Sequence, residues 1–388
     1  MAFQPLPGFR DFYPEEMALR RHVERAWHAA SRAAGFEEIE GPPLESLDLF
    51  RAKSGGEIVE QIYAFTDKGG REVALRAELT PTLARMAGAR AAALKKPVKW
   101  YATPQLFRYE RQQKGRLREH IQWNVDILGA PEVAAEAELL SVALDALRRL
   151  GLTEKDVYVR ANHRRLAEAK LRELGVTDFE RALVAIDRDQ VEDPRVRAWL
   201  DEPFEADAEF DAFLAACDDY GIGAYVEPDK KIVRGLAYYT GIVFEIFDRE
   251  RTLRAVAGGG RYDQLVEKLG GPAMPALGFG MGDVVLTELI RERGLLPPHP
   301  PRIDAMVVPI GEEMSGPARQ VARRLRAAGL RAETPFVAER PGKAIKAAVG
   351  AGARRVYLVG PDEWRDGAVK VKELATGDER TVKVGALP

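Results

Sequence analysis

Residues 107–126, FRYERQQKGRLREHIQWNVD, alternate apolar and polar side chains, and this alternation restricts the possible folds more than any other feature of the chain. Successive side chains of a β-strand point to opposite faces of the sheet. The second half of the stretch therefore has an apolar face of Ile121, Trp123 and Val125 and a polar face of Gln122, Asn124 and Asp126. The first half alternates in the same way, with Phe107 and Tyr109 opposed to Arg108 and Glu110, and Gly115 marks the turn region. We predict an antiparallel hairpin with one polar surface.

The polar surface of this hairpin has two interpretations. Antiparallel sheets often expose one face to water, so the surface could be an ordinary solvated face. It could also be the floor of a ligand site, because mixed acidic, basic and amide groups suit a zwitterionic substrate. The loop supports the second interpretation, since its basic residues suit phosphate groups: Arg111, Lys114, Arg116 and Arg118.

Composition indicates a globular protein of two or three domains. The chain has 388 residues, of which 46% are hydrophobic and 30% charged, which is typical of folded rather than disordered proteins. Residues 302–388 hold 16 Lys and Arg against 11 Asp and Glu, or +5, whereas the remainder holds 42 against 49, or −7. The carboxy-terminal part is therefore the better candidate for a nucleic-acid surface.

The sequence predicts no metal site and no membrane segment. Cys217 is the only cysteine, which excludes an internal disulfide and a cysteine-based zinc site. The five histidines, at positions 22, 28, 120, 163 and 299, have no metal-ligand spacing. The amino terminus does not resemble a signal peptide, and no run of about 18 apolar residues occurs. We expect a cytoplasmic protein.

Periodic patterns outline the organisation of the chain. Helices are predicted from Pro14 to Gly35 and over 133–150, and residues 157–230 are predicted to be mainly helical and inserted before a strand at 242–247. Glycine-rich segments at 257–263 and 276–282 and a helix near Asp283 follow. After the proline-rich run 294–302, strands alternate with helices at 316–328 and 341–350, which predicts a small α/β domain.

Several of these segments resemble the histidyl-tRNA synthetases. The hairpin resembles motif 2 of class II aminoacyl-tRNA synthetases, and four companion segments narrow the resemblance: LRAELTPTLARM (75–86), KGRLREHIQWNVD (114–126), VRGLAYYTGIVFE (233–245) and GGGRYDQLVEKLG (258–270). The opening LPGFRDFYPEE also fits, and RGLAYYTG is the most specific piece. The resemblance covers essentially the whole chain.

The resemblance implies an α+β fold and a two-step reaction. A six- or seven-stranded antiparallel sheet flanked by helices would form the catalytic core over 1–156 and 231–298. Residues 157–230 would be a helical insertion, and 303–388 an α/β anticodon-binding domain. The family is dimeric through the region around 36–43. Its enzymes use ATP with Mg²⁺ to convert L-histidine to histidyl adenylate, and they then transfer the histidyl group to the 3′ end of tRNA(His).

The resemblance also implies roles for single residues. Arg108 and Arg234 would be catalytic at the α-phosphate. The further ATP contacts would be Glu110, Arg116 near the γ-phosphate and His120 on the adenine. The substrate ammonium would bind Glu78, Thr80 and Gln122, and the imidazole would bind Asp126, Tyr238 and Tyr239. The tRNA contacts would be Gln113 and Lys114 at the acceptor end and Arg340, Lys343 and Lys346 at the anticodon arm. No metal ligand is implied. Three glycines, 258–260, allow close approach of a ligand to the backbone.

The sequence departs from the family pattern at three places. Val284 and Val285 stand where motif 3 ends in a Glu-Arg pair whose arginine stacks on adenine. His120 replaces a phenylalanine on the other adenine face, and Ala237 replaces an acidic residue.

These departures leave two alternatives open. One is a catalytically silent paralogue that acts as the regulatory subunit of ATP phosphoribosyltransferase, although such regulators typically lack the anticodon domain and the two catalytic arginines. The other is a class II synthetase for proline, threonine or glycine, which RGLAYYTG and the absence of zinc ligands disfavour.

Overall fold

A computed structural model describes residues 3–54, 61–109, 115–234, 238–298 and 301–388. Residues 1–297 and 298–388 form two compact units, which are described separately. No helix among the described residues is both long enough and apolar enough to cross a membrane.

The first unit is a mixed α/β structure. Its elements, in chain order, are α1 (Pro14–Ala33), β1 (Glu37–Glu38), β2 (Leu44–Ser46), α2 (Leu47–Ser54), β3 (Ala64–Thr66), β4 (Glu72–Leu75), α3 (Thr80–Arg90), β5 (Val98–Ala102), β6 (Gln105–Phe107), β7 (Glu119–Leu128), α4 (Ala134–Arg149), β8 (Val157–His163), α5 (Arg164–Glu173), α6 (Phe179–Asp187), α7 (Pro194–Asp201), α8 (Ala208–Asp219), β9 (Val226–Pro228), β10 (Ile242–Asp248), β11 (Ala257–Arg261), α9 (Leu265–Lys268), β12 (Ala276–Gly282) and α10 (Asp283–Glu292).

A large sheet dominates this unit. Within the described residues it has nine strands in the order β1-β5-β7-β12-β11-β10-β8-β9, with β6 paired to β7. The six strands from β5 to β8 in this order are antiparallel, as predicted for the catalytic sheet. The edge strands β1 and β9 pair in parallel. A small antiparallel sheet, β2-β4-β3, lies beside it.

The predicted antiparallel pairing is present between β6 and β7, but β6 ends at Phe107, where the first strand was predicted to begin, and only the apolar face of β7 lies in the core of the unit. Ile121, Trp123 and Val125 are buried with side chains of α1, α4 and α10. Trp123 stacks on Trp27 of α1 with ring centroids 5.9 Å apart, and its indole N–H donates to Ser31 Oγ at 3.0 Å. Such aromatic burial holds β7 firmly against the helices. The polar face therefore points away from this helical layer.

The opposite face of the sheet is covered by a smaller apolar cluster that includes side chains of α3 and α9. Tyr238, Tyr239 and Tyr262 belong to this cluster. Their hydroxyl-bearing rings therefore lie on the same side of the sheet as the polar face of β7, which brings distant parts of the chain to one place.

The segment predicted to be helical from 157 begins instead with a strand. β8 pairs antiparallel with β10 throughout Val157–His163, and the helices begin at Arg164. The strand is buried along almost its whole length, although Val157, Val159 and Ala161 alternate in its sequence with Tyr158, Arg160 and Asn162. This alternation is short and is followed by a long Ala-rich, charged segment that favours helices, and the composition of the longer segment explains the wrong boundary.

The second unit is an α/β domain, as predicted. Its elements are β13 (Ala305–Pro309), α11 (Ser315–Ala327), β14 (Ala332–Glu333), α12 (Pro341–Gly350), β15 (Arg355–Val359), α13 (Pro361–Arg365), β16 (Ala368–Glu373) and β17 (Glu379–Lys383). The strand order is β14-β13-β15-β16-β17, with parallel pairing up to β15 and antiparallel pairing beyond it.

Candidate active site

The centre of the large sheet contains a trough made by glycines. Glu245 of β10 is opposite Gly258 of β11, Gly258 is opposite Gly280 of β12, and Gly280 is opposite Asn124 of β7. Residues directly opposite each other project from the same face, so two positions without side chains lie between Glu245 and Asn124. Neighbouring strands are about 4.8 Å apart. The trough is therefore about two strands wide.

Polar side chains of β7 lean over this trough. A Cβ built on Gly278 would lie 2.0 Å from Asp126 Oδ1, and one built on Gly280 would lie 2.5 Å from Gln122 Nε2. A larger residue at either of these two positions would displace the side chain of Asp126 or Gln122. Glycine is needed here because the side chains approach the backbone closely, and not because of an unusual φ. The glycines of ALGFGMG thus make room for the side chains of the predicted polar face.

A cavity of about 150 Å³, the inner cavity, lies at one end of the trough. All six residues that the sequence suggested for histidine binding line it, together with both predicted catalytic arginines: Glu78, Thr80, Gln122, Asp126, Tyr238, Tyr239, Arg108 and Arg234. The remaining lining residues include Asn124, Tyr262 and the glycines of the trough. Residues from α3, β7, β12 and the chain before β10 thus meet around a space the size of a small molecule.

Two buried polar atoms of the inner cavity have no hydrogen-bond partner among the residues that the structure describes. Glu78 Oε1 accepts no hydrogen bond from any described residue, and Arg234 Nε donates none to them. A buried polar group without a hydrogen bond costs free energy, and such groups in native proteins usually have a functional reason. The acceptor, Glu78 Oε1, is complementary to the ammonium group of an amino acid, and the donor, Arg234 Nε, is complementary to its carboxylate.

Glu78 is held by a lysine that sequence reasoning missed. Lys53 of α2 is buried and forms an ion pair with Glu78 Oε2, and its Nζ lies 4.0 Å from the centroid of the Tyr238 ring. The lysine thus contacts one carboxylate oxygen and an aromatic wall of the cavity at once. A single lysine in an amphipathic segment carries no signal of such a role.

Asp126 has a perturbed acidity. Burial raises the pKa of Asp126 to about 7, against an opposing effect of the Tyr262 hydrogen bond and the Lys53 charge. The Tyr262 hydroxyl donates to Asp126 Oδ1, and the Tyr262 ring meets Tyr238 edge-to-face at 6.0 Å. The Asp126 carboxyl group is therefore near its titration midpoint at neutral pH. An imidazole, which also titrates near neutral pH, is a suitable hydrogen-bonding partner for such a group. Tyr262 lies in the recognised segment GGGRYD, but sequence reasoning gave it no role.

Arg234 reaches across the trough to Glu245. Its Nη1 donates to Glu245 Oε1 at 2.9 Å, and a Cβ on Gly258 would lie 1.6 Å from the same nitrogen. The backbone of Arg234 has φ +47°, which is uncommon for residues other than glycine. Such strained backbone conformations occur most often at functional sites. The glycine therefore makes space for a guanidinium group that Glu245 orients.

A second cavity of about 350 Å³, the outer cavity, adjoins the first. The two cavities share five lining residues: Arg108, Gln122, Arg234, Gly258 and Gly280. Arg116, His120, Val284 and Val285 also line the outer cavity, so the described residues predicted for ATP are brought together. Burial, followed by the Arg108 charge, lowers the pKa of His120 to about 3, which leaves a neutral imidazole at physiological pH.

The remaining predicted site residues fall into two sets, one outside the described residues and one in the second unit. Glu110, Gln113 and Lys114 fall outside the described residues. In the second unit, Lys343 and Lys346 lie on α12 and Arg340 is at its N-cap; Lys343 pairs with Glu339 at 2.7 Å. Among the described residues, no group of three or more His, Cys, Asp or Glu is placed to hold a metal ion.

Comparison with known proteins identifies the family. A sequence model described as "Histidyl-tRNA synthetase" matches residues 8–202 and 187–283, and one described as "Anticodon binding domain" matches residues 304–388. The histidine--tRNA ligase of Opitutus terrae is 41% identical over 418 aligned positions that cover 98% of this chain and 96% of that protein. The chloroplastic/mitochondrial histidine--tRNA ligase of Arabidopsis thaliana is 38% identical, with 99% and 85% covered.

The fold agrees with this assignment. The crystal structure of apo histidyl-tRNA synthetase from S. aureus superposes with a TM-score of 0.81 at 25% identity, and the match covers 100% of this chain and 98% of that one. The match to an anticodon-binding domain and the two arginines at the shared end of both cavities disfavour the regulatory-subunit alternative. The chain belongs to the histidyl-tRNA synthetase family.

Proposed function

We propose that the chain activates L-histidine with ATP and transfers the histidyl group to the 3′ end of tRNA(His). One observation carries the proposal. The inner cavity is lined by Glu78 Oε1 and Arg234 Nε, which have no hydrogen-bond partner in the described part of the chain, and by the carboxyl group of Asp126. A zwitterion with an imidazole side chain satisfies all three.

Histidine is recognised by two groups of side chains. Glu78, with Thr80 and Gln122, accepts hydrogen bonds from the ammonium. Asp126 and Tyr239 bind the imidazole edge, beside Tyr238. A site whose buried polar groups need a hydrogen-bonding substrate rejects analogues that lack those groups by roughly 10⁴- to 10⁵-fold, because the analogue leaves the site unpaired.

In the first step a carboxylate oxygen of histidine attacks the α-phosphorus of ATP. An O–P bond forms, the bond to the β-phosphate breaks, and pyrophosphate leaves. The carboxylate is already ionised, so no general base is needed, and the protein contributes positioning and charge stabilisation. Arg108 and Arg234 line the boundary of the two cavities, where they stabilise the charge on the α-phosphoryl oxygens. Arg116 takes the γ-phosphate end, and His120 and Glu110 provide the further contacts to ATP.

ATP enters as its magnesium complex, with the metal held by phosphate oxygens and water. In the second step the terminal hydroxyl of the tRNA attacks the carbonyl carbon of the adenylate, and AMP leaves. The hydroxyl proton passes to a phosphate oxygen of the departing AMP as the new ester forms.

The tRNA is held by both units. Gln113 and Lys114 meet the acceptor end, and Arg340, Lys343 and Lys346 meet phosphates of the anticodon arm. Phe336, just before this basic group, is fully exposed. An exposed aromatic ring beside basic residues is typical of single-stranded RNA binding, because unpaired bases stack on it.

We further propose that the chain acts in the cytoplasm as a homodimer joined around residues 36–43. Residues 1–156 and 231–298 provide catalysis, 303–388 bind the anticodon, and the helices between 164 and 219 form the inserted part. Light scattering of the purified chain tests the dimer, because a mass near the monomer's 43.0 kDa would exclude it.

The decisive experiment is ATP–pyrophosphate exchange with each of the twenty amino acids. Histidine alone is expected to support exchange. The matched control is Asp126→Asn, which keeps the shape of the side chain but removes the carboxylate and should lower the histidine response at neutral pH. Exchange with a different amino acid, or with none, would overturn the proposal.

A further inference from the structure

The outer cavity has chemically different ends. At the end shared with the inner cavity lie Arg108 and Arg234. Away from that end, Arg254 and Val285 converge on Gly115. A Cβ built on Gly115 would lie 3.4 Å from Val285 Cγ2 and 3.9 Å from Arg254 Cδ. Arg254 belongs to the connection between β10 and β11, three residues before β11 begins.

The proposed function orients ATP in this cavity. Its α-phosphate must lie at the shared end, where the histidine carboxylate arrives, so the base must extend away from the inner cavity. The apolar wall found there consists of Val284 and Val285. These are the residues that stand in place of the motif 3 Glu-Arg pair, so the chain supplies no guanidinium for the base from α10 at that position.

We propose that Arg254 supplies the guanidinium group for the base, and that this group stacks on the adenine ring against Val285. A guanidinium is planar and weakly hydrated, and it stacks on aromatic faces in a way that a lysine ammonium does not. This inference rests on the proposed function and names the residue that fixes the nucleotide base. In the family pattern the stacking arginine comes from motif 3, whereas Arg254 comes from the β10–β11 connection. The site would therefore keep an arginine for the base, but from a different segment of the chain.

The alternative chemistry for Arg254 is a phosphate contact, and binding measurements distinguish the two. We would measure the Kd for ATP and for inorganic tripolyphosphate by calorimetry in wild type, Arg254→Ala and Arg254→Lys. Loss of one base–side chain stack weakens binding by roughly 5- to 150-fold. Arg254→Ala is expected to weaken ATP binding within that range and to leave tripolyphosphate binding unchanged. Arg254→Lys is expected to behave like Arg254→Ala, because it keeps the charge but loses the plane.

Arg249→Ala is the matched control. Arg249 lies on the same connection but lines neither cavity, and its loss should leave both affinities unchanged. Unaltered ATP binding in Arg254→Ala would overturn the inference. So would a loss of tripolyphosphate binding that Arg254→Lys restores, since this would make Arg254 a phosphate contact. Both readouts are independent of histidine, so absence of histidine-dependent exchange in wild type would refute the proposed function alone.

Discussion

Gly258→Ala is expected to abolish most catalysis by adding one methyl group beneath Arg234. The new Cβ would lie 1.6 Å from Arg234 Nη1, whereas non-bonded atoms prefer about 3.5 Å or more. The nitrogen must therefore move by about 2 Å, which breaks its 2.9 Å hydrogen bond to Glu245. The colliding atom is the end of a flexible side chain, so the strand itself should still form.

The size of the effect follows from the role of Arg234. Displacing one donor that stabilises transition-state charge costs about 10²- to 10³-fold in rate, or about 3 to 4 kcal/mol. The assay is histidine-dependent ATP–pyrophosphate exchange, with a thermal melt to confirm that the variant folds. Gly282→Ala is the matched control, because Gly282 also lines the outer cavity but a Cβ there meets nothing within 4 Å. Its exchange rate should stay near that of wild type.

A double-mutant cycle tests the cause. If the methyl acts by displacing Arg234, Gly258→Ala should have almost no effect in an Arg234→Ala background, where the space is empty. Additive losses would refute this reasoning, since they would mean that the methyl obstructs the substrates directly.

Three further outcomes are expected. Glu78→Gln should raise the KM for histidine by roughly ten- to hundredfold and leave the KM for ATP unchanged, and equal effects on both in exchange kinetics would contradict the ammonium contact. As the pH rises from 4 to 7, the free energy of unfolding of wild type should fall by up to about 4 kcal/mol relative to that of Asp126→Asn. The reason is that Asp126 keeps its proton in the folded chain up to a pKa of about 7, whereas the unfolded chain releases it near the usual 3.8. If urea unfolding gave the same pH dependence for both proteins, the carboxyl group would not be buried. Replacing Arg340, Lys343 and Lys346 by alanine should weaken tRNA binding, reduce its salt-dependence slope by about three and spare exchange; an unchanged slope would place the tRNA elsewhere.

The sequence was informative where side-chain direction depends only on local geometry. The polar face of β7 follows from a period of two, so Gln122, Asn124 and Asp126 could be placed together without knowledge of any other strand. The helices α1 and α4 were likewise predicted within one or two residues, since their apolar positions recur every three or four residues.

The rest depended on contacts between distant residues. The hydrogen bond of Tyr262 to Asp126 joins positions 136 apart, and nothing near either residue predicts it. Lys53 and Glu245 act through partners on other elements, so their own segments read as ordinary charged positions. β8 was missed for a different reason, because its alternating residues are few and stand at the start of a long Ala-rich, charged segment whose composition favours helices.

The glycine trough limits how the substrate specificity of this enzyme can be altered. Gly258, Gly278 and Gly280 already lie against side chains that a Cβ would strike, so library positions there should yield mostly inactive variants. Amino-acid selectivity should instead be tunable through the residues that lean over the floor, above all Gln122 and Asp126. Shortening these side chains would enlarge the space above an unchanged backbone, and a directed-evolution campaign toward bulkier histidine analogues should therefore begin on β7.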